Sequence, residues 1–296
     1  MTSAGLHHVT AICGQARDNV SYYTRKLGQH LIKRTVNFDD PGTWHLYYGN
    51  AQGSPGSIIT FFPWENAQRG RRGSGEAIET AYIANAAAVA ALEDAKDVQN
   101  LQFGERFGVK VARFDDPDGM SLAMVLEDEA DSREGFHSVT LDVEDIGPTA
   151  EVLTEVFGWR ETAREGAGQQ LRVRYSAGGS NAVGQHVDLV SRQQGRAHFG
   201  KGSVHHIAFR AGNDAEQAEM ARRLAAMRIG ATEQKDRNYF RSIYFREPGG
   251  VLFEIATDAP GFAIDEPADR LGTKLMLPAQ YEPMREAIIA RLAPLE

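Results

Sequence analysis

The chain has 296 residues, 42% of them apolar, so it is long enough to bury a sizeable core as two ordinary domains or several fused modules. With 32 basic against 40 acidic side chains and one dense basic spot, Arg69 to Arg72, it lacks the charge that phosphate neutralisation demands, and no nucleic-acid partner is expected. No apolar run approaches the roughly 20 residues that span a bilayer, no signal-like segment opens the chain, and the lone Cys13 has no disulfide partner; a cytoplasmic location away from membranes is expected.

In chain order, the first strand-like segment is Gly5-Leu-His-His-Val-Thr10. Asp18 then precedes a helical pattern from Val20 to Leu27 that stops at Gly28, a residue able to take the positive φ of a helix end. Short runs such as Trp44 to Tyr48 and Ile58 to Phe62 follow as strands. Arg69-Gly-Arg-Arg-Gly-Ser-Gly75 reads as a solvated loop because glycines flank its charges. A weaker copy of the same order begins at Glu79-Thr-Ala-Tyr-Ile-Ala84 and enters an alanine-rich helix from Asn85 to Ala95. Polar Glu129 to Glu134 separates the halves. Gly135-Phe-His-Ser-Val-Thr140 opens a third copy, with Asp145 ahead of a helix from Thr149 to Phe157 that stops at Gly158. Ser203-Val-His-His-Ile-Ala208 opens a fourth, which passes Asn213 and ends its helix at Gly230. Between them, Gly195-Arg-Ala-His-Phe-Gly-Lys201 has a P-loop-like start, but Gly202 stands where a magnesium-binding Ser or Thr belongs, and a strand follows. The tail after Pro260 ends in an amphipathic helix from Met284 to Leu292.

Each unit therefore reads as strand, helix, then about three strands. The expected fold class is α+β: four βαβββ units in two tandem modules, 1–130 and 131–260, with a helical extension at 261–296. One unit cannot cover both faces of its sheet, so units must pair into curved mixed sheets around a cup.

Adjacent side chains in a strand face opposite ways, so His7 and His8 cannot both look squarely into one cup. The third position of the motif is histidine in three copies (His7, His137, His205), whereas the fourth is His8, Ser138 and His206. A position that is histidine only where a site can be built is the better ligand candidate, which selects His8 and His206, with His7 and His205 beside them. Glu254 lies within the apolar run Gly250-Val-Leu-Phe-Glu-Ile255, where an ionised carboxylate needs a partner or a metal. Pairing unit one with unit four gathers all three ligands into a cup and leaves other coordination positions open, the arrangement of non-haem Fe(II) oxygenases. His30, His45, His137, His186 and His198 read as structural or surface residues, and Trp44, Tyr47 and Phe240 as packing. Two other readings stay open: a glyoxalase-type isomerase or lyase on Mn(II), Zn(II) or Ni(II), and a non-catalytic binder of small molecules.

Gly5-Leu-His-His-Val-Thr10, Val204-His-His-Ile207, Asp236-Arg-Asn-Tyr-Phe-Arg-Ser-Ile-Tyr244 and Pro248-Gly-Gly-Val-Leu-Phe-Glu254 together resemble the vicinal oxygen chelate superfamily of glyoxalases, bleomycin-resistance proteins and extradiol dioxygenases. The resemblance covers nearly the whole chain and is sharpest to its hydroquinone ring-cleaving dioxygenases. It implies paired βαβββ units, Fe(II) on His8, His206 and Glu254, and a small aromatic substrate with O2 as partners. It also implies that His7, Thr10, His205, Arg237 and Tyr244 line the cavity, with Tyr244 and His205 moving a proton and Arg237 stabilising negative charge. The sequence leaves open whether the chain forms a homo-oligomer.

Overall fold

The computed structural model describes residues 3–94, 98–127, 134–178 and 183–295. Unit one consists of β1 (Leu6–Cys13), α1 (Ala16–Ser21), β2 (His30–Val36), β3 (Trp44–Gly49) and β4 (Ile58–Pro63). Unit two repeats that order as β5 (Glu76–Ala84), α2 (Ala86–Asp94), β6 (Gln99–Arg106), β7 (Val109–Asp115) and β8 (Ser121–Leu126). Unit three is β9 (Phe136–Asp142), α3 (Ile146–Glu155), β10 (Arg160–Glu165), β11 (Arg172–Ser176) and β12 (His186–Val190). Unit four is β13 (Val204–Ala211), α4 (Asp214–Ala226), β14 (Lys235–Asp236), β15 (Phe240–Arg246) and β16 (Leu252–Pro260).

Local chemistry sets the helix ends. Asp145 accepts from the Gly147 N–H at the start of α3, and Asn213 from the Glu216 N–H at the start of α4. Gly28 and Gly158 take φ of 67° and 72° just past their helices. Three sequence expectations need correction here. The first helix begins earlier than expected and widens into a π-helical turn at Tyr22–Lys26, which turns Tyr23 into the core with its hydroxyl on Asp116. Helix α4 reverses at Arg228, φ 59°, rather than at Gly230, so that Ile229 packs on the core. The C-terminal helix, expected from Met284 to Leu292, is only the short α5 (Arg285–Ile289), preceded by a 3-10 turn, Ala279–Met284, that contains Pro283.

Two eight-stranded sheets result, ordered β14-β15-β16-β13-β1-β4-β3-β2 and β10-β11-β12-β9-β5-β8-β7-β6. The first joins units one and four through antiparallel β1 and β13; the second joins units two and three through antiparallel β5 and β9. Each sheet thus takes one unit from either half of the chain. The expected boundary at 130/131 lies outside the described residues, and 1–130, 131–260 and 261–296 stand as a proposed division in sequence order.

A main core runs between the sheets and under the helices, where Phe157 of unit three stacks on Phe209 of unit four at 3.9 Å. A smaller cluster fills the inner face of the first sheet, with Ile58, Ala208, Tyr239, Phe240 and Phe262 among its members. The C-terminal extension is pinned beside it by Lys33, fully buried with its ammonium 2.6 Å from Asp265 and 2.5 Å from Glu266.

The segment expected to be a solvated loop, 69–75, is instead zipped to 195–201. Gly70 N donates to Lys201 O at 3.0 Å, Arg71 N to His198 O at 2.8 Å and Ser74 N to Gly195 O at 3.1 Å. Glycine is required because the two backbones touch: a Cβ on Gly73 would stand 2.2 Å from Gly195 O, and one on Gly200 2.3 Å from Gln68 O. The P-loop-like stretch is the other half of this zipper.

Candidate metal centre

The ligand candidates sit on three neighbouring strands of the first sheet. In the β1/β13 ladder His8 pairs with Ala208 and Thr10 with His206; in the β13/β16 ladder Ala208 pairs with Glu254. Strand alternation therefore puts His8, His206 and Glu254 on one face, within a residue or two of a common level. One ligating atom from each lies within 4.8 Å of the others, and all three residues are buried. Among the described residues this is the group of His, Cys, Asp or Glu that could hold a metal ion.

Glu254 divides its two oxygens. Oε1 accepts a hydrogen bond from the Ser242 hydroxyl. Oε2 faces His206 Nε2 at 2.9 Å and His8 Nε2 at 3.2 Å, yet has no N–H aligned on it as a hydrogen bond. Three donor atoms converging without a proton aligned between them is the geometry a divalent cation completes, and the donor set suits one. Burial alone would push the Glu254 carboxyl up, but the His8 and His206 imidazoles outweigh it and hold it well below the usual range. Burial also lowers the His206 imidazole, against the pull of the Glu254 carboxylate beside it.

The adjacent histidines brace the ligands. His7 Nδ1 lies 2.9 Å from His8 Nδ1, and His205 Nδ1 lies 2.8 Å from His206 Nδ1. Burial and then the neighbouring imidazole push both His7 and His205 down to about 3, so each is neutral at ordinary pH. A ligand that binds through Nε2 donates its Nδ1–H, which each outer histidine is placed to accept.

A cavity of about 270 Å³ opens above the centre. His205, Tyr244 and Arg237 line it together with His8 and His206. Arg237 donates through Nε to Tyr244 Oη at 3.2 Å and through Nη2 to Asp39 at 3.0 Å. Withdrawal from water raises the Tyr244 phenol, which stays protonated. Two expected lining residues do not reach the cavity. His7 is turned beneath Phe240, ring centroids 5.1 Å apart, where β1 shifts register between Leu6 and His8. Thr10 is fully buried on the same strand and accepts from Thr60 Oγ1 at 2.9 Å.

Sequence reasoning missed part of the wall. His45, Tyr47, Phe62 and Trp64 line the cavity, as do Phe38 and Asp39 from the loop after β2. The alternation of His45 and Tyr47 on β3 places them on one face and was the available signal. Trp44, by the same alternation, points away and donates to Ala293 O at 2.8 Å.

Comparison with known proteins bears on this geometry. The model of the Glyoxalase/Bleomycin resistance protein/Dioxygenase superfamily matches residues 5–155 and 135–255. MhqO of Bacillus subtilis (strain 168), provisionally named a ring-cleaving dioxygenase, is 43% identical over 99% of this chain and 96% of its own. The chlorohydroquinone/hydroquinone 1,2-dioxygenase of Sphingobium indicum is 30% identical over 96% of this chain and 94% of its own. A crystal structure of a provisionally named dioxygenase from Bacillus subtilis superposes with a TM-score of 0.92 at 42% identity, covering 100% of this chain and 98% of that one.

Proposed function

The chain belongs to the glyoxalase/bleomycin resistance protein/dioxygenase superfamily, and on that premise we propose that it is an iron(II)-dependent, extradiol-type ring-cleaving dioxygenase acting with O2 on hydroquinone-type aromatic rings, catechol-type rings included. The observation that carries this reading is the convergence of His8, His206 and Glu254 at the floor of a cavity walled mainly by aromatic side chains. Bound there, Fe(II) supplies open coordination positions and a path for electrons between ring and O2.

The chain's own residues do the rest. The Arg237 Nε–H donates to Tyr244 Oη, which leaves the phenolic proton free to be offered into the cavity. With His205 Nδ1 taken by His206, its Nε2–H is the atom left to face a substrate oxygen. Tyr244 and His205 are thus the two groups placed to hold or deliver a proton as a ring oxygen changes charge. Arg237 stabilises negative charge at that oxygen. His7 and Thr10 act from behind, His7 by orienting the His8 ring and Thr10 by anchoring Thr60. Phe38, Phe62, Trp64 and Leu252 exclude water from the reacting faces.

Anaerobic loading with Fe(II), followed by an oxygen-electrode screen of hydroquinones and catechols, tests the proposal. Oxygen uptake matched by a ring-opened acid is the expected result. Tightly held zinc in the native protein, with no oxygen uptake after iron loading, would overturn it in favour of a metal-dependent isomerase or lyase. Glu254→Gln is expected to abolish metal retention while the fold persists, read as metal content per chain.

A further inference from the structure

The cavity wall contributed by β3 and β4 holds a histidine whose two nitrogens are both spoken for. His45 Nε2 lies 2.8 Å from Thr60 Oγ1, and His45 Nδ1 lies 2.9 Å from Tyr47 Oη. Thr60 gives its own hydroxyl proton to Thr10 Oγ1 at 2.9 Å. The Thr60 oxygen must therefore accept from His45, which places the imidazole hydrogen on Nε2. Nδ1 is then bare and accepts the Tyr47 hydroxyl. Every hydrogen is assigned in one direction, Tyr47 to His45 to Thr60 to Thr10, across the adjacent strands β3, β4 and β1. Desolvation holds the imidazole well below its usual range, in keeping with a neutral ring.

A ring tied at both nitrogens has no lone pair or proton to exchange with a substrate. What it offers the cavity is surface. Its centroid lies 4.1 Å from Tyr47 and 4.4 Å from Phe62, so those two rings flank it and the half-buried imidazole presents its edge to the cavity between them. The chain ends at Thr10, which stands opposite His206 in the β1/β13 ladder and two residues from His8. The wall is thereby clamped to the strand that carries a ligand, which fixes its distance from the metal position. A phenylalanine would give the same surface without the clamp.

We infer that His45 is a specificity-determining residue, locked as the neutral Nε2–H tautomer, against whose ring edge a planar aromatic substrate packs as it enters the metal centre. The inference rests on the dioxygenase reading for the identity of the substrate, but not for the tautomer or for the packing surface.

The test uses full-length protein loaded with Zn(II), which is diamagnetic, and ¹⁵N-labelled histidine. NMR is expected to show His45, assigned by loss of its signals in His45→Phe, as the Nε2–H tautomer with no titration between about pH 5 and 8. Hydroquinone, with 1,4-cyclohexanediol as the saturated control, is the binding probe. His45→Ala is expected to weaken hydroquinone binding roughly tenfold, and His45→Phe by less than about threefold, with the saturated diol indifferent to either. Thr60→Val keeps the ring and cuts the clamp; it is expected to move the tautomer signal and weaken hydroquinone binding, which separates the clamp from simple loss of fold. In iron-loaded protein His45→Ala should raise KM more than it lowers kcat.

An Nδ1–H or charged His45 overturns the inference. So does His45→Ala protein that binds hydroquinone as tightly as the parent. A His45→Phe enzyme that loses kcat at unchanged KM, together with one limb of the pH profile, would make His45 an acid–base group instead. Absence of oxygen uptake by the parent on hydroquinones would sink the dioxygenase reading alone, since the NMR and binding results decide the role of His45 without turnover.

Discussion

At the scale of single residues, the orientation of Glu254 decides what the centre can hold. Ser242 fixes Oε1 by a hydrogen bond, and the carboxylate plane this sets aims Oε2 between the two imidazoles. A hydrogen-bonding partner behind a ligand typically tunes affinity by 10–100-fold, so Ser242→Ala is expected to weaken metal binding by about that factor without unfolding the chain. Competition with a chelator measures it; unchanged affinity would mean that strand packing alone holds the carboxylate. Glu254 was legible because a charge inside Val-Leu-Phe-Glu-Ile demands a partner. Ser242 was not, since a serine in a strand carries no mark of which carboxylate it faces. His45 looked like any lone strand histidine, because whether its face meets a cavity or packing depends on where β3 lies in the sheet. His7 and Thr10 sit on a motif that marks the site, yet the cover of Phe240 over the one and Thr60 over the other keeps them out of the cavity.

At the scale of elements, the order strand, helix, three strands could be read four times over, most sharply in units one and three, where the fourth motif position and the helix-ending glycine are 20 residues apart (8 to 28 and 138 to 158). What fills each cup could not. In the second sheet the inner face carries charge: Glu79 on β5 accepts from Arg106 and Arg113 at 2.7 Å each, and Asp188 on β12 takes a two-pronged contact from Arg174 at 2.7 and 3.0 Å. These residues are scattered over several strands of the weaker copies, so no local pattern announces them. Burial alone would raise the Glu79 carboxyl, but Arg106 and Arg113 outweigh it and hold it down to about 2 from an ordinary 4.5. A folded value below the unfolded one means that Glu79 contributes stability in full above about pH 4.5 and loses it as pH falls through about 2. The shift corresponds to roughly 3 kcal/mol. Denaturant melts between about pH 5 and 3 should show this slope, and Glu79→Gln should flatten it. At neutral pH the same variant strands the buried Arg106 and is expected to cost about 3–5 kcal/mol. Metal affinity in the first sheet should be unchanged; equal pH slopes in variant and parent would remove Glu79 from the balance.

At the scale of the whole molecule, units one and four meet through the antiparallel β1/β13 ladder, and their pairing brings His8 of the one beside His206 and Glu254 of the other. The crossovers between the two sheets, 64–75 and 191–203, could not be read the same way. A glycine-rich basic segment has the composition of a solvated loop, and nothing local shows that a distant backbone will lie against it. Yet a Cβ on Gly73 would run into the 195–197 backbone, Gly195 O at 2.2 Å, Ala197 N at 2.6 Å and Arg196 C at 2.6 Å, none of which can swing aside as a side chain would. Gly73→Ala must therefore separate the two crossovers and forfeit bonds such as Ser74 N to Gly195 O. Its expected cost is about 1–3 kcal/mol, in the range of other forced overpacking. Both crossovers run between the sheets, whereas His8, His206 and Glu254 all lie within the first, so the loss should register in thermal melts and in protease cleavage near 69–75 and 195–201 while metal affinity holds. A variant that melts with the parent would show that the crossovers slide past each other freely; one that also loses metal would show that the zipper, and not the β1/β13 ladder, sets the spacing of the ligands.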